Sequence, residues 1–362
     1  MIHPIGEPKM SGYIKQSRRM VQATACLMLL AGCAAAHPMI YGASTATDDP
    51  SEAAWVDIPE GPMRIVVSPE ASRLYVLHDS GPRGYLVILD GKTQTLLHRI
   101  PVGRRPISMA IEGEMAYVAD FLSDDLTVIN LKTAEAVKTI PVGRRPIRVA
   151  SSAGSPYLLA ANYGSDSVSI IDRRSLKIVK TLSSGRRPGD LVIHPDGRHA
   201  YVLDRGAGDL SVIEMTSLEI VRRIPVGEFP SGIAISKDGR SLFVSDAQSN
   251  TLQVLDVDAD NLTAIRTIPV GRRPVEVLRS ADAEFIYVLN GESKTVSVID
   301  PVKHETILTI PLEQTPRCMS ATSDGGRLYI SYGEHSGGIS VVEMTPPPSL
   351  QFHSLPAIQA ER

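Results

Sequence analysis

A chain of 362 residues that is 43% hydrophobic and 21% charged holds enough apolar side chain for a folded core, which excludes a chain disordered throughout. Its 28 glycines and 26 prolines are too many for a helical protein, because both break element interiors, so many short strands joined by turns are expected. The formal net charge of −3 becomes −6 once the first 33 residues are set aside, leaving 33 basic against 39 acidic residues; this balance argues against a dedicated nucleic-acid binder and leaves room only for a local basic patch.

At the amino terminus, Lys9, Lys15, Arg18 and Arg19 precede the apolar run Met20 to Ala31, which is too short to span a bilayer as a stable helix. A positive segment followed by a short apolar one is the pattern of a secretory signal peptide. Arg18-Arg19 keeps only part of a twin-arginine pattern and is read as part of the positive segment. The run ends in Leu30-Ala31-Gly32-Cys33, which resembles the bacterial lipobox. That resemblance implies that Cys33 carries lipid and begins the mature protein; the alternative is an ordinary signal peptide with a chance cysteine. Ala34, where an Asp would signal inner-membrane retention, implies sorting to the outer membrane, on its periplasmic side or at the cell surface. Residues 34–53 are small, polar and aperiodic and read as a flexible tether. The expected organisation is therefore a signal peptide over 1–33, a tether over 34–53 and a folded body over 54–362. Cys26 and Cys33 fall in the export segment, so Cys318 stands alone in that body and no intrachain disulfide framework is available.

From Ile58 onward the chain repeats. Ile-Pro-Val-Gly recurs at Ile100, Ile140, Ile224 and Ile268, with looser copies at Ile58, Leu182 and Ile310, at spacings of 42, 40, 42, 42, 44 and 42 residues. In the unit that starts at Ile100, residues 107–111, 115–119, 126–129 and 136–140 are short apolar or alternating runs separated by turn residues. Four strands per unit without helical period means one propeller blade per unit, so the fold class is all-β, a seven-bladed β-propeller with four-stranded blades. The ring must close, and two runs compete for the last outermost strand: Phe352-His353-Ser354-Leu355-Pro356, which is favoured, and Ala54-Trp55-Val56-Asp57-Ile58.

Tyr117-Val118-Ala119-Asp120, Leu159-Ala160-Ala161-Asn162, Tyr201-Val202-Leu203-Asp204, Phe243-Val244-Ser245-Asp246 and Tyr287-Val288-Leu289-Asn290 resemble the tetrapeptide that names the YVTN β-propeller repeats. Each is followed by a strand of the type Val296-Ser297-Val298-Ile299-Asp300. The resemblance covers roughly 300 residues and implies the fold; it says little of activity, because propellers host binding proteins and several enzyme classes. Members are often exported or surface-layer proteins, in keeping with the lipobox.

Two sets of residues are candidates for function. Gly-Arg-Arg-Pro loops recur at Arg104-Arg105, Arg144-Arg145, Arg186-Arg187 and Arg272-Arg273, and should gather around one mouth of the channel. Eight guanidinium groups there suit a carboxylate, phosphate or sulfated ligand; the structural alternative is pairing with acids such as Asp124 and Asp166 of neighbouring blades. Two residues after each loop proline, the innermost strand should face the channel with Arg64, Ser108, Arg148, Asp190, Gly232, Glu276 and Cys318. An enzyme of lactonase or lyase type would use Asp190 and Glu276 there, although two carboxylates fall short of the six or more oxygens that Ca²⁺ wants. Cys318 is either a thiol activated by nearby cations or a small filler. His194, His199 and His304 show no metal spacing, and His194 reads as a turn residue. No cofactor, metal or catalytic residue is assigned. The preferred reading is a non-catalytic binding or scaffolding lipoprotein that offers its arginine-rich face to a small anionic ligand or an acidic envelope protein. Single-stranded DNA, a ligand of some family members, fits poorly with the negative mature charge and the few aromatics.

Overall fold

A computed structural model of the chain describes residues 54–56, 62–68, 70–258, 261–280, 285–332 and 338–344. All of them belong to one compact unit, Tyr41–Arg362; the expected signal peptide, Cys33, the tether and the run 352–356 lie outside the described residues. The described strands form seven four-stranded antiparallel sheets, each built from strands consecutive in sequence except the last. The second blade is typical, with Pro106–Glu112 innermost, then Met115–Asp120, Asp125–Asn130 and, outermost, Glu135–Pro141.

Burial explains the residue pattern. Ala116 to Asp120 are all buried, because the second strand of a blade is covered on both faces by its neighbours and so reads as a continuous apolar run. The outermost strand meets water on most of its surface and keeps one buried anchor, Ile140. The core lies between blades: Leu77 and Ile88 of the first pack with Met109 and Val118 of the second. Ile65 and Val76 of the first pack with Tyr329 and Ile339 of the seventh.

Closure corrects the preference for the carboxyl-terminal run. Ala54–Val56 pairs antiparallel with Gly338–Glu343, Trp55 opposite Ser340, and completes the seventh blade behind Pro316–Ala321 and Arg327–Tyr332. The reason is repeat phase: Ala54–Val56 stands a few residues ahead of the innermost strand Pro62–Val67, as Glu135–Pro141 stands ahead of Pro146–Ser151. An outermost strand thus leads each blade, and the first of these hydrogen-bonds to the last blade and ties the ring.

The glycine of each arginine loop is fixed by a close approach. A Cβ on Gly103, Gly143, Gly185 or Gly271 would sit 2.6 or 2.7 Å from the side chain of Asp120, Asn162, Asp204 or Asn290, the last residue of the next blade's tetrapeptide. Gly232 is a second case: a Cβ there would lie 2.7 Å from the backbone nitrogen of Val277, where the innermost strands of the fifth and sixth blades converge. Gly232→Ala is therefore expected to destabilise by about 1–3 kcal/mol, since backbone cannot move aside as a flexible side chain would. A melting temperature within a degree of the parent would show that the two strands separate freely.

Candidate binding site at the channel mouth

The loops that join outermost to innermost strands meet, on one face, the loops that follow the tetrapeptides. The carbonyls of Arg105, Arg145, Arg187 and Arg273 accept the N–H groups of Phe121, Tyr163, Arg205 and Gly291. These second arginines adopt left-handed φ angles of 52–53°. Their conformation is held by neighbours: the side chains of Asp124, Asp166 and Asn250 accept the backbone N–H of Arg145, Arg187 and Arg273 at 2.7–2.8 Å. Asp124 and Asp166 thus face the arginine main chain.

The guanidinium groups go elsewhere. Among the described residues, Arg272 alone of the eight loop arginines has a carboxylate within ion-pair distance, Glu292 at 3.6 Å. Arg104 donates from Nη2 to the carbonyl of Leu122 at 2.8 Å. Arg105 and Arg145 lie 5.4 and 5.9 Å from the centre of the Phe121 ring, and Arg187 lies 5.9 Å from that of Tyr163, distances at which ring and cation attract. The backbone of Arg144 is held by Ser165, and Arg144, Arg186 and Arg273 are exposed.

Inside this rim, every innermost strand carries a register shift between its proline and the residue two further on. A bulge of this kind puts an extra residue on one strand and re-aims its side chain. Strict alternation would turn the residue after each proline away from the channel. The bulge brings those residues, Met63, Ile107, Ile147, Gly189, Ser231, Val275 and Arg317, to the wall of a cavity of about 390 Å³ at the mouth. Arg64, Arg148, Asp190, Glu276 and Cys318 line it too, with Arg105, Phe121 and Arg205. Five arginines and two carboxylates therefore share one cavity.

The ring residues pair across the channel. Arg64 of the first blade bonds Glu276 of the sixth; Arg148 of the third lies 2.7 Å from Asp190 of the fourth and 3.7 Å from Glu276. Burial works to discharge Arg64, yet the charge and hydrogen bond of Glu276 hold its guanidinium more firmly protonated than usual. Burial raises the Asp190 carboxyl above the ordinary range, with Arg148 opposing and Glu276 adding to the shift. Ring side chains also accept the N–H of the next blade's innermost strand. Ser108 takes Val149, Asp190 takes Ile233, Glu276 takes Met319 and Cys318 takes Ile65, at 2.9–3.3 Å. Such N–H groups belong to strand edges that face the channel, and a buried donor without a partner is costly. The two acids thus have structural work independent of any substrate.

Cys318 is 2% exposed and its Sγ lies 2.9 Å from the Ser331 hydroxyl. Burial pushes its thiol up despite nearby Arg64, so the activated-thiol alternative is not supported. His194 sits in a turn, with Nδ1 2.6 Å from Asp196 and Nε2 3.2 Å from the carbonyl of Gly239 in the next blade. Among the described residues, no three of His, Cys, Asp or Glu come together as metal ligands. Sequence reasoning singled out neither Arg205 nor the bulge residues. Arg205 did leave a signal, as the one basic residue at a position that holds Phe121, Tyr163, Ala247 and Gly291 in aligned units.

Among solved structures, the chain is similar to Kuenenia stuttgartiensis hydrazine synthase, with a TM-score of 0.70 and 18% identity over 85% of this chain and 99% of that one. It is also similar to the β-propeller domain of Myceliophteria thermophila Cps50 (Swd1), with a TM-score of 0.68 and 13% identity over 81% of this chain and 100% of that one. At such identities the likeness is one of fold. No curated protein matches the sequence. The model of the YNCE-like β-propeller family matches residues 86–284, more than half of the chain, and the protein belongs to that family.

Proposed function

We propose that this propeller is a non-catalytic binding protein of the cell envelope, anchored through lipid on Cys33, whose arginine-rich face captures an anionic ligand at the channel mouth. The observation that carries the reading is the separation of roles at the loops, where acids of neighbouring blades bond the arginine backbone while seven of the eight guanidinium groups have no carboxylate within ion-pair distance among the described residues. Exposed guanidinium groups around a concave mouth raise the local concentration of anions and offer planar donor forks to carboxylate or phosphate oxygens. Binding is preferred to catalysis because Asp190 and Glu276 are engaged by arginines and by backbone N–H groups. The lipid anchor rests on the lipobox-like Leu30-Ala31-Gly32-Cys33 and the positive segment before it.

The test is calorimetric titration of the full chain with small anions across 0.05–0.5 M salt, beside a variant carrying Arg104→Ser, Arg144→Ser, Arg186→Ser and Arg272→Ser. Affinity should fall as salt rises, because exposed charges are screened over about 8–10 Å. The variant should bind roughly tenfold more weakly at the lowest salt, with a flatter salt dependence. Binding that ignores salt would sink the arginine-face reading. Metal-dependent hydrolysis of a lactone by the purified chain would favour an enzyme instead.

A further inference from the structure

We infer that Arg205 is the anchor of a small-anion site inside the channel mouth, built to hold a di- or trianion bearing carboxylate or phosphate groups. This rests on the proposed anion-binding role and specifies where the ligand sits and what its charged group meets.

Arg205 follows the tetrapeptide of the fourth blade and turns inward to the cavity that holds five arginines against two carboxylates. Its stem lies against Gly189, where any Cβ would collide with it, so the bulge residue of that blade is shaped to admit this side chain. Its guanidinium carbon lies 5.0 Å from the centre of the Phe229 ring. Nε is buried and has no hydrogen-bond partner among the described residues. The acid near it, Asp190, is already taken by Arg148 at 2.7 Å and by the N–H groups of Leu191 and Ile233.

A half-buried guanidinium whose Nε is shut from water and has no carboxylate is unfavourable, and perturbed groups of this kind cluster at functional sites. Burial draws the Arg205 pKa down and Arg273 adds to this, while Asp190 and Tyr163 oppose it. An oxyanion in the cavity would meet the guanidinium that lines it, in the planar donor geometry that suits Arg, once Nε turns to the opening. Arg64, Arg105, Arg148 and Arg205 outnumber Asp190 and Glu276 by two, which favours a multiply charged ligand over a monoanion. A cavity of about 390 Å³ falls at the lower end of the range of about 300–1,000 Å³ for small-molecule sites.

The full chain would be titrated with tricarballylate, succinate, inorganic phosphate and pyrophosphate, at 0.05 and 0.5 M salt. The carboxylate and phosphate arms decide which group the site prefers. Arg205→Gln is expected to weaken the preferred anion by about 10- to 100-fold at both salt concentrations, because a buried pair is little screened. Arg205→Lys should recover only part of the loss, and the four-arginine rim variant should differ from the parent only at low salt. Without ligand, Arg205→Gln should melt no lower than the parent, since it removes an uncompensated charge. Unchanged affinity in Arg205→Gln with a loss in the rim variant would overturn the anchor and leave the arginine face standing. A melting temperature several degrees below the parent would also overturn it, by making Arg205 a structural cation. Binding of none of the four anions would overturn both readings.

Discussion

Glu276→Ala is expected to lower the unfolding free energy by about 3–5 kcal/mol, the cost of breaking one side of a buried ionic network. Three partners depend on this carboxylate: Arg64, Arg148 and the N–H of Met319 in the next blade. Arg148 keeps Asp190, whereas Arg64 is left buried without a carboxylate among the described residues. The double replacement Arg64→Leu with Glu276→Leu should be less destabilising than Glu276→Ala, because it removes charge in balance and leaves the Arg148–Asp190 pair intact. Chemical denaturation of the three proteins checks this directly. A loss under 1 kcal/mol in Glu276→Ala would mean that water already screens the network, and the ring would then be free for a solvated ligand.

The repeat made most of this architecture legible. Each blade needs buried second and third strands, so apolar runs such as Tyr117-Val118-Ala119 return at a period near 42 and reveal blade and count together. Alternation on the innermost strand pointed to the ring: Ile65, Met109 and Val149 are buried in the blade interfaces, Arg64 and Arg148 line the cavity, and Ser108 is buried on the Val149 N–H. The bulge was not legible, because it is a backbone event and its residues share no chemistry: Met63, Ile107, Gly189, Ser231 and Arg317 occupy equivalent places. The pairing of Arg64 with Glu276 was hidden for another reason. Ring position gives a direction toward the channel, but only side-chain length decides which charges meet across it. Closure was ambiguous in sequence because a run as short as Ala54-Trp55-Val56-Asp57-Ile58 carries little pattern; its place ahead of Pro62–Val67 was the better guide than resemblance to an outermost strand.

The tetrapeptide acids give the fold a built-in control for a pH prediction. Asp120 is fully buried, Oδ2 accepts the Thr127 hydroxyl at 2.6 Å and Oδ1 has no partner among the described residues. Burial pushes its carboxyl up to about 8, with neighbouring Asp125 adding to the shift and Thr127 opposing it. Its folded pKa thus lies above the unfolded value of about 4, so the folded state holds the proton more tightly and this group's contribution is lost as pH rises from about 4 to about 8. Asn162 and Asn290 occupy the same place in other blades and donate to Ser169 and Ser297 at 3.0 Å, seven residues on, as Thr127 is from Asp120. Asp120→Asn should therefore gain about 1–3 kcal/mol at pH 8.5, several degrees in Tm, and change little at pH 4.5. Asp246 should behave in the opposite way. Although burial works against its charge, the N–H groups of Ser249, Phe229 and Gln248 hold its carboxyl below the usual range, and its contribution is present above the unfolded pKa and lost as pH falls through the folded one. An amide has one acceptor oxygen for these three donors, so Asp246→Asn should lower Tm at pH 8.5, where Asp120→Asn raises it. Equal shifts of one sign in both variants would show that the loop environment does not set the charge of these acids.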